Sequence, residues 1–416
     1  MRPVVPHRMP ARPTLARCLA LAGLLAPAIA SAQLTEDEAV QRALARPEVR
    51  DFVEGEVDVA RGEAIRAGLW PNPVLSYTRE ETRGGPAAAK DDLALLTQTF
   101  DLSGKRGLRG EAAGRQVEAT RARWASARLA LEVEVRVRFH ELLAAERRVA
   151  ATSGALRRIE TLATAVGRRQ AAGDASGYDL GRLERERASI GARAAVEGAG
   201  LARARARLGG LLGGEDAPAV TGELVPAGAP PPLDRLTSRV ASRPDLRALS
   251  EEAEAGSLVA RAGARAWIPE LTLSGGYKGS VVQDERLTGF AVGVSVPFPL
   301  FDRGQDEALR GSGRARVARA RLALETDAAS AEVRGLHAQA SLLAEAANRF
   351  RAEALEPSRR LITTADAAYR GGELGILELV DAHRGALDAE LQALELDLTA
   401  RRARLDLDLA TGGTSR

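Results

Sequence analysis

The chain has 416 residues, with 59 Lys and Arg against 56 Asp and Glu and only 3% aromatic side chains. Four of the arginines and the single cysteine lie in the first 32 residues; without them 55 basic residues face 56 acidic ones. A near-neutral, cysteine-free remainder excludes a nucleic-acid binder argued from charge, a disulfide scaffold and a cysteine metal site.

Residues 1–32 read as an export signal. Arg2, Arg8, Arg12 and Arg17 precede the apolar run "CLALAGLLAPAIA", and the small residues "ASA" stand close before Gln33. The run is shorter than the ~20 apolar residues that span a bilayer as a helix.

The remainder of the chain is duplicated. "ARPEVR" at 45–50 returns as "SRPDLR" at 242–247, "LWPNPVLSY" at 69–77 as "AWIPELTLSGGY" at 266–277, and "TFDLSGKRG" at 99–107 as "PFPLFDRGQ" at 297–305. A fixed offset along the whole chain decides architecture before any local pattern does. It divides the chain into a first repeat, 33–212, a Pro/Gly-rich linker, 213–232, and a second repeat, 233–416.

Each repeat opens on a helix closed by prolines, Pro71 and Pro73 in the first. Two strands are then expected, near 72–81 and 92–101 and again near 269–279 and 287–298. In the last of these Phe290, Val292, Val294, Val296 and Phe298 alternate with Ala291, Gly293, Ser295 and Pro297. One apolar face and one small or polar face over such a length suit a membrane-spanning β-barrel. Trp70 and Trp267 stand at equivalent helix–strand junctions, where a membrane interface places aromatic anchors. Four strands cannot close a barrel, and open edges are not tolerated in lipid, so several copies must share one.

A very long helix succeeds each strand pair. "LEVEVRVRF" at 131–139 alternates like a strand, but no turn residue bounds it, and the expectation is helix. Pro357 is expected to kink the second long helix. Each long helix reaches a tight turn, "RQAAGDASGYDLGRLE" at 169–184 and "YRGGELGILELVDA" at 369–382, before a returning helix.

With the repeat, the strand pairs and both turns in view, the sequence resembles the TolC-like outer-membrane efflux family. "LWPNPVLSY", "FDLSGKRG" and "FHELLAAERRVA" look like its cobalt–zinc–cadmium cation-efflux branch. The resemblance implies a mainly α fold with a small β-barrel part, shared in a homotrimer of twelve strands. It also implies an outer-membrane location with a large periplasmic part. The implied partners are a periplasmic adaptor, an inner-membrane pump of the RND type and outer-membrane lipid, with no nucleic acid and no cofactor. Gly173, Gly371, Gly372 and Tyr369 match the family's tip turns and adaptor contacts. Asp179, Glu378 and Asp381 match the acids of its periplasmic constriction. Leu374 departs from an arginine that latches the closed state in the family's best-known member. Glu378 and Asp381 are three apart, hence on one helix face, and rings of acids favour cations.

His140, His337 and His383 do not converge with carboxylates in any metal-ligand spacing. "LSGKRG" lacks the upstream glycine and the Ser/Thr of a phosphate loop. No nucleophile–base set is visible, so no enzyme is expected. The function expected is a passive efflux conduit for divalent cations. The alternatives are a conduit for drugs or type I protein secretion, or a periplasmic coiled-coil adaptor, which the strand pairs disfavour.

Overall fold

The computed structural model describes residues 33–84, 89–225, 228–282 and 285–413, and the expected export signal lies outside them. Each repeat begins with two helices rather than the single one expected: α1 (Glu36–Leu44) and α2 (Pro47–Gly68), then α5 (Leu233–Val240) and α6 (Pro244–Ala264). Pro47 and Pro244 cause the break. Each sits in a first helical turn, where its missing N–H costs nothing and its ring forbids continuation from the preceding turn. Thr35 caps α1 in a reciprocal box with Glu38.

The strands are β1 (Val74–Thr82), β2 (Ala89–Phe100), β3 (Leu271–Val282) and β4 (Glu285–Ser295). They form one antiparallel meander in the order β1-β2-β3-β4, and the β2–β3 pairing joins the repeats, with Phe100 opposite Leu271. Leu75, Tyr77, Phe290, Val292 and Val294 are all at least 64% exposed, an uncovered apolar face. The alternate residues Ser76, Thr97, Ser274 and Gly293 share the other face. β1 and β4 leave their outer edges unpaired.

Below the sheet, α3 (Lys105–Ala171) runs for 67 residues, about 100 Å at 1.5 Å per residue, and α4 (Gly177–Leu212) returns along it. The alternating stretch 131–139 is helical because α3 has neighbours on several sides. Val133, Val135, Phe139 and His140 are all buried. In the second repeat α7 (Gln305–Phe350) does not simply kink at Pro357. It widens into a π-turn, Arg351–Leu355, before α8 (Glu356–Gly371) and α9 (Ile376–Ala410). Pro357 cannot donate to the carbonyl one turn back, and the π-turn accommodates that loss just ahead of it.

Among the described residues between α4 and α5 there is no helix, yet the segment is packed rather than loose. Ala217, Val220 and Leu224 are buried in the main core with Phe139, Leu142 and Leu183. Its carbonyls are held by arginines. Arg401 donates to Glu223, Leu224 and Val225 at 3.1, 3.2 and 2.9 Å, and Arg147 donates to Gly222 at 2.7 Å. Leu34 pairs in parallel with Val220 and buries its side chain there. We call this segment the strap.

Candidate functional site

Both hairpin tips are built by the same local rule. Gly173 (φ +87°) and Gly372 (φ +77°) are left-handed, a conformation in which a Cβ meets the following carbonyl. At the first tip Gly173 N–H donates to Gln170 O at 3.0 Å and Asp174 N–H to Arg169 O at 2.8 Å. At the second, Gly372 N–H donates to Tyr369 O at 3.1 Å and Glu373 N–H to Ala368 O at 2.9 Å. These paired bonds satisfy the last carbonyls of α3 and α8 in identical Schellman turns. Gly371 needs no such conformation; it is the last residue of α8 and is exposed.

The returning helices begin differently. Ser176 caps α4 by accepting from Tyr178 N–H at 3.1 Å. α9 has Gly375 at its cap with no side-chain bond, and the Glu378 carboxylate lies back over it. Asp179 and Glu378 each stand in a helix's first turn, where the macrodipole favours an anion. Glu378 and Asp381 line one groove of 460 Å³ between α8 and α9, with Leu361, Ala365, Ala368 and Leu374 as its apolar wall. Asp179 lies on the other hairpin and does not line it. Tyr369 and Leu374 pack half-buried against the main core.

Trp70 is 48% and Trp267 60% exposed at the helix–strand junctions. The Arg106 guanidinium lies 3.3 Å from the Trp70 ring centroid. Phe100 meets the same ring edge-on.

Three polar joints escape a reading by spacing alone. His383 Nε2 lies 3.0 Å from Asp366 Oδ1, tying α9 to α8. The two residues stand at equal distances on either side of the Leu374–Gly375 turn, which is the signal that finds them. Arg351, in the π-turn, pairs with the buried Asp397 of α9, whose carboxyl burial pushes up against the pull of that guanidinium. At α1, Glu36 bonds Arg136 at 2.7 Å and lies 3.3 Å from the buried His140 Nε2. Burial opposes the Glu36 charge, but His140 and Arg136 outweigh it and lower its pKa to about 2. Burial pushes His140 down. Among the described residues no three His, Cys, Asp or Glu side chains stand where they would hold a metal ion.

The family model described as "Outer membrane efflux protein" matches residues 237–413. The cobalt-zinc-cadmium resistance protein CzcC of Cupriavidus metallidurans is 27% identical over 352 residues, 82% of this chain and 80% of its own length. The nickel and cobalt resistance protein CnrC of the same organism is 29% identical over 272 residues, 64% of each chain. Among solved structures, a Pseudomonas aeruginosa membrane protein superposes with a TM-score of 0.74 at 23% identity, covering 91% of this chain and 92% of its own. CusC gives 0.72 at 18%, with the same coverage. Over residues 237–413 the chain matches the outer membrane efflux protein family, and its fold as a whole is that of the CusC channel.

Proposed function

We propose that this chain is the outer-membrane conduit of a tripartite system that exports divalent heavy-metal cations from the periplasm or pump to the exterior. One observation carries the channel reading: a four-stranded sheet with an exposed apolar face and two unpaired edges. Such a sheet is unstable alone in lipid and is completed by further copies. Three copies give a twelve-stranded barrel, and a closed ring is the symmetric solution. Trp70 and Trp267 anchor the ring at the periplasmic membrane interface.

At the far end, Glu378 and Asp381 with Asp179 form the constriction, where carboxylates around a narrow opening attract cations. The turns at Gly173 and Gly371–Gly372, with Tyr369, meet the adaptor, and the pump is of the RND type. Leu374 leaves the closed state without an arginine latch, so the Asp366–His383 joint is the polar tie nearest the second tip. The choice of cation is supported by the resistance proteins CzcC and CnrC, to which the chain is similar over most of its length.

The test is growth of a deletion strain, with and without the restored gene, on a divalent-metal series and a hydrophobic-drug series. Sensitivity to metals alone supports the reading, and sensitivity to drugs alone overturns the choice of substrate. In planar bilayers, replacing both Glu378 and Asp381 with alanine raises conductance or alters cation selectivity. Unaltered currents remove the gate assignment.

A further inference from the structure

A cavity of about 560 Å³ lies where the strap, α3 and the π-turn converge on α9. On the α3 wall Arg147, Ala151, Gly154 and Arg158 follow 4,3,4 spacing, one face of the helix. The small residues between the two arginines keep that wall open. Arg158 folds back along it, its Nη1 3.7 Å from where a Cβ on Gly154 would stand. Arg351 in the π-turn and Arg359 in α8 form the other wall. Each wall packs on α9, which supplies the floor with Glu390, Ala393, Leu394 and Asp397.

The acids of this chain do not match these four guanidinium groups. Arg351 takes up Asp397, and Arg359 bonds Glu356 at 2.9 Å. Arg147 donates to a neutral carbonyl, Gly222 O, and reaches Asp397 only through its longer-range charge. Among the described residues neither Arg147 nor Arg158 makes an ion pair, and Glu390 makes none either. Two cationic walls over one floor repel each other, and an anion between them removes the repulsion. The π-turn points the same way. It adds a residue and re-aims the side chains around it, and such turns recur at functional sites.

We infer that this cavity binds a small organic anion with two or more carboxylate groups, one held by the arginines of α3 and another by those of the π-turn and α8. A guanidinium matches a carboxylate in two parallel hydrogen bonds, which a point charge does not offer. Ala393 and Leu394 on the floor receive the carbon body, and the volume falls in the range of about 300–1,000 Å³ usual for small-molecule pockets. The bound anion ties α3 to the π-turn and so links the two hairpins across α9. All of these residues belong to one chain, so the site stands whether or not the conduit reading does.

Calorimetric titration of the full-length protein in detergent, in metal-free buffer with citrate as the probe, tests it. Saturable binding is expected beyond that given by sodium chloride at equal ionic strength. Arg158→Gln with Arg359→Gln weakens it about tenfold or more, because both donors are lost. Both side chains are exposed, so helicity by circular dichroism stays unchanged. Arg157→Gln with Arg360→Gln removes the same charge one residue outside the cavity and leaves binding as it is. In the wild type, citrate also slows amide exchange across 351–355. The site is overturned if citrate does not saturate, if the two double variants lose binding equally, or if exchange across 351–355 is unmoved. Inorganic phosphate binding as tightly as citrate overturns the polycarboxylate assignment.

Discussion

From Lys105 to Ala171 the first repeat's long helix descends without interruption, while its counterpart stops at Phe350, widens through Arg351–Leu355 and restarts at Glu356. Both then turn through the same left-handed glycine. The duplication therefore preserved the turn and altered the shaft. Midway along the shafts the repeats differ again. His140 lies beside a carboxylate, Glu36, whereas His337, at the nearly equivalent position, bonds a neutral carbonyl, Pro231 O at 3.1 Å. Two copies of one unit have thus become a stiff, ionically fastened hairpin and one with a built-in joint. Local geometry is more constrained by the turn than by the helix that leads to it.

The comparison is broken most severely at the core. Phe139 is fully buried, and its repeat counterpart Leu336 is only half-buried. Phe139→Ala costs about 3–5 kcal/mol in urea unfolding and Leu336→Ala clearly less; equal losses would show the two shafts to be equally packed.

Acid comes next. The Glu36 pKa of about 2 lies below its unfolded value, so its contribution is present above about pH 4.5 and is lost as pH falls towards 2. His140, pushed down by burial, adds a loss in the same direction below its unfolded pKa. Glu36→Gln removes the carboxylate part of this slope, on the order of 2–3 kcal/mol, and a pH series of melting temperatures reads it.

The π-turn gives a smaller, local effect. Arg351→Ala strands the buried Asp397 and costs about 1–3 kcal/mol, discounted because the arginine is part-exposed. Amide exchange should quicken across 351–355 and stay unchanged in α3. Asp397→Asn added to it recovers part of the loss. The smallest effect tests the likeness rather than the difference. Gly173→Ala and Gly372→Ala each cost about 1 kcal/mol, and a marked inequality would mean the two turns are not energetically alike.

Much of this molecule was legible before the structure. The duplication, the strand pairs and the long helices follow from offsets, alternation and the spacing of prolines. The helical identity of 131–139 was readable from its missing turn residues, although its alternation argued otherwise. Two things were not legible. The strap's Gly and Pro content reads as linker because composition does not reveal that Arg147 and Arg401 wait on other helices to bind its carbonyls. The breaks before Pro47 and Pro244 were hidden because a proline inside a helical run signals a kink and a new N-terminus equally well. At the tips, the glycines and acids were visible by position. That Glu378 and Asp381 share an apolar groove with α8, apart from Asp179, depends on packing across the turn.

The strap is fastened by guanidinium groups, which keep their protons at any pH a bacterium meets. The joint that holds α1 depends on a carboxylate and an imidazole, which do not. Acidification therefore weakens the polar joint of α1 while the guanidinium–carbonyl bonds of the strap stay intact.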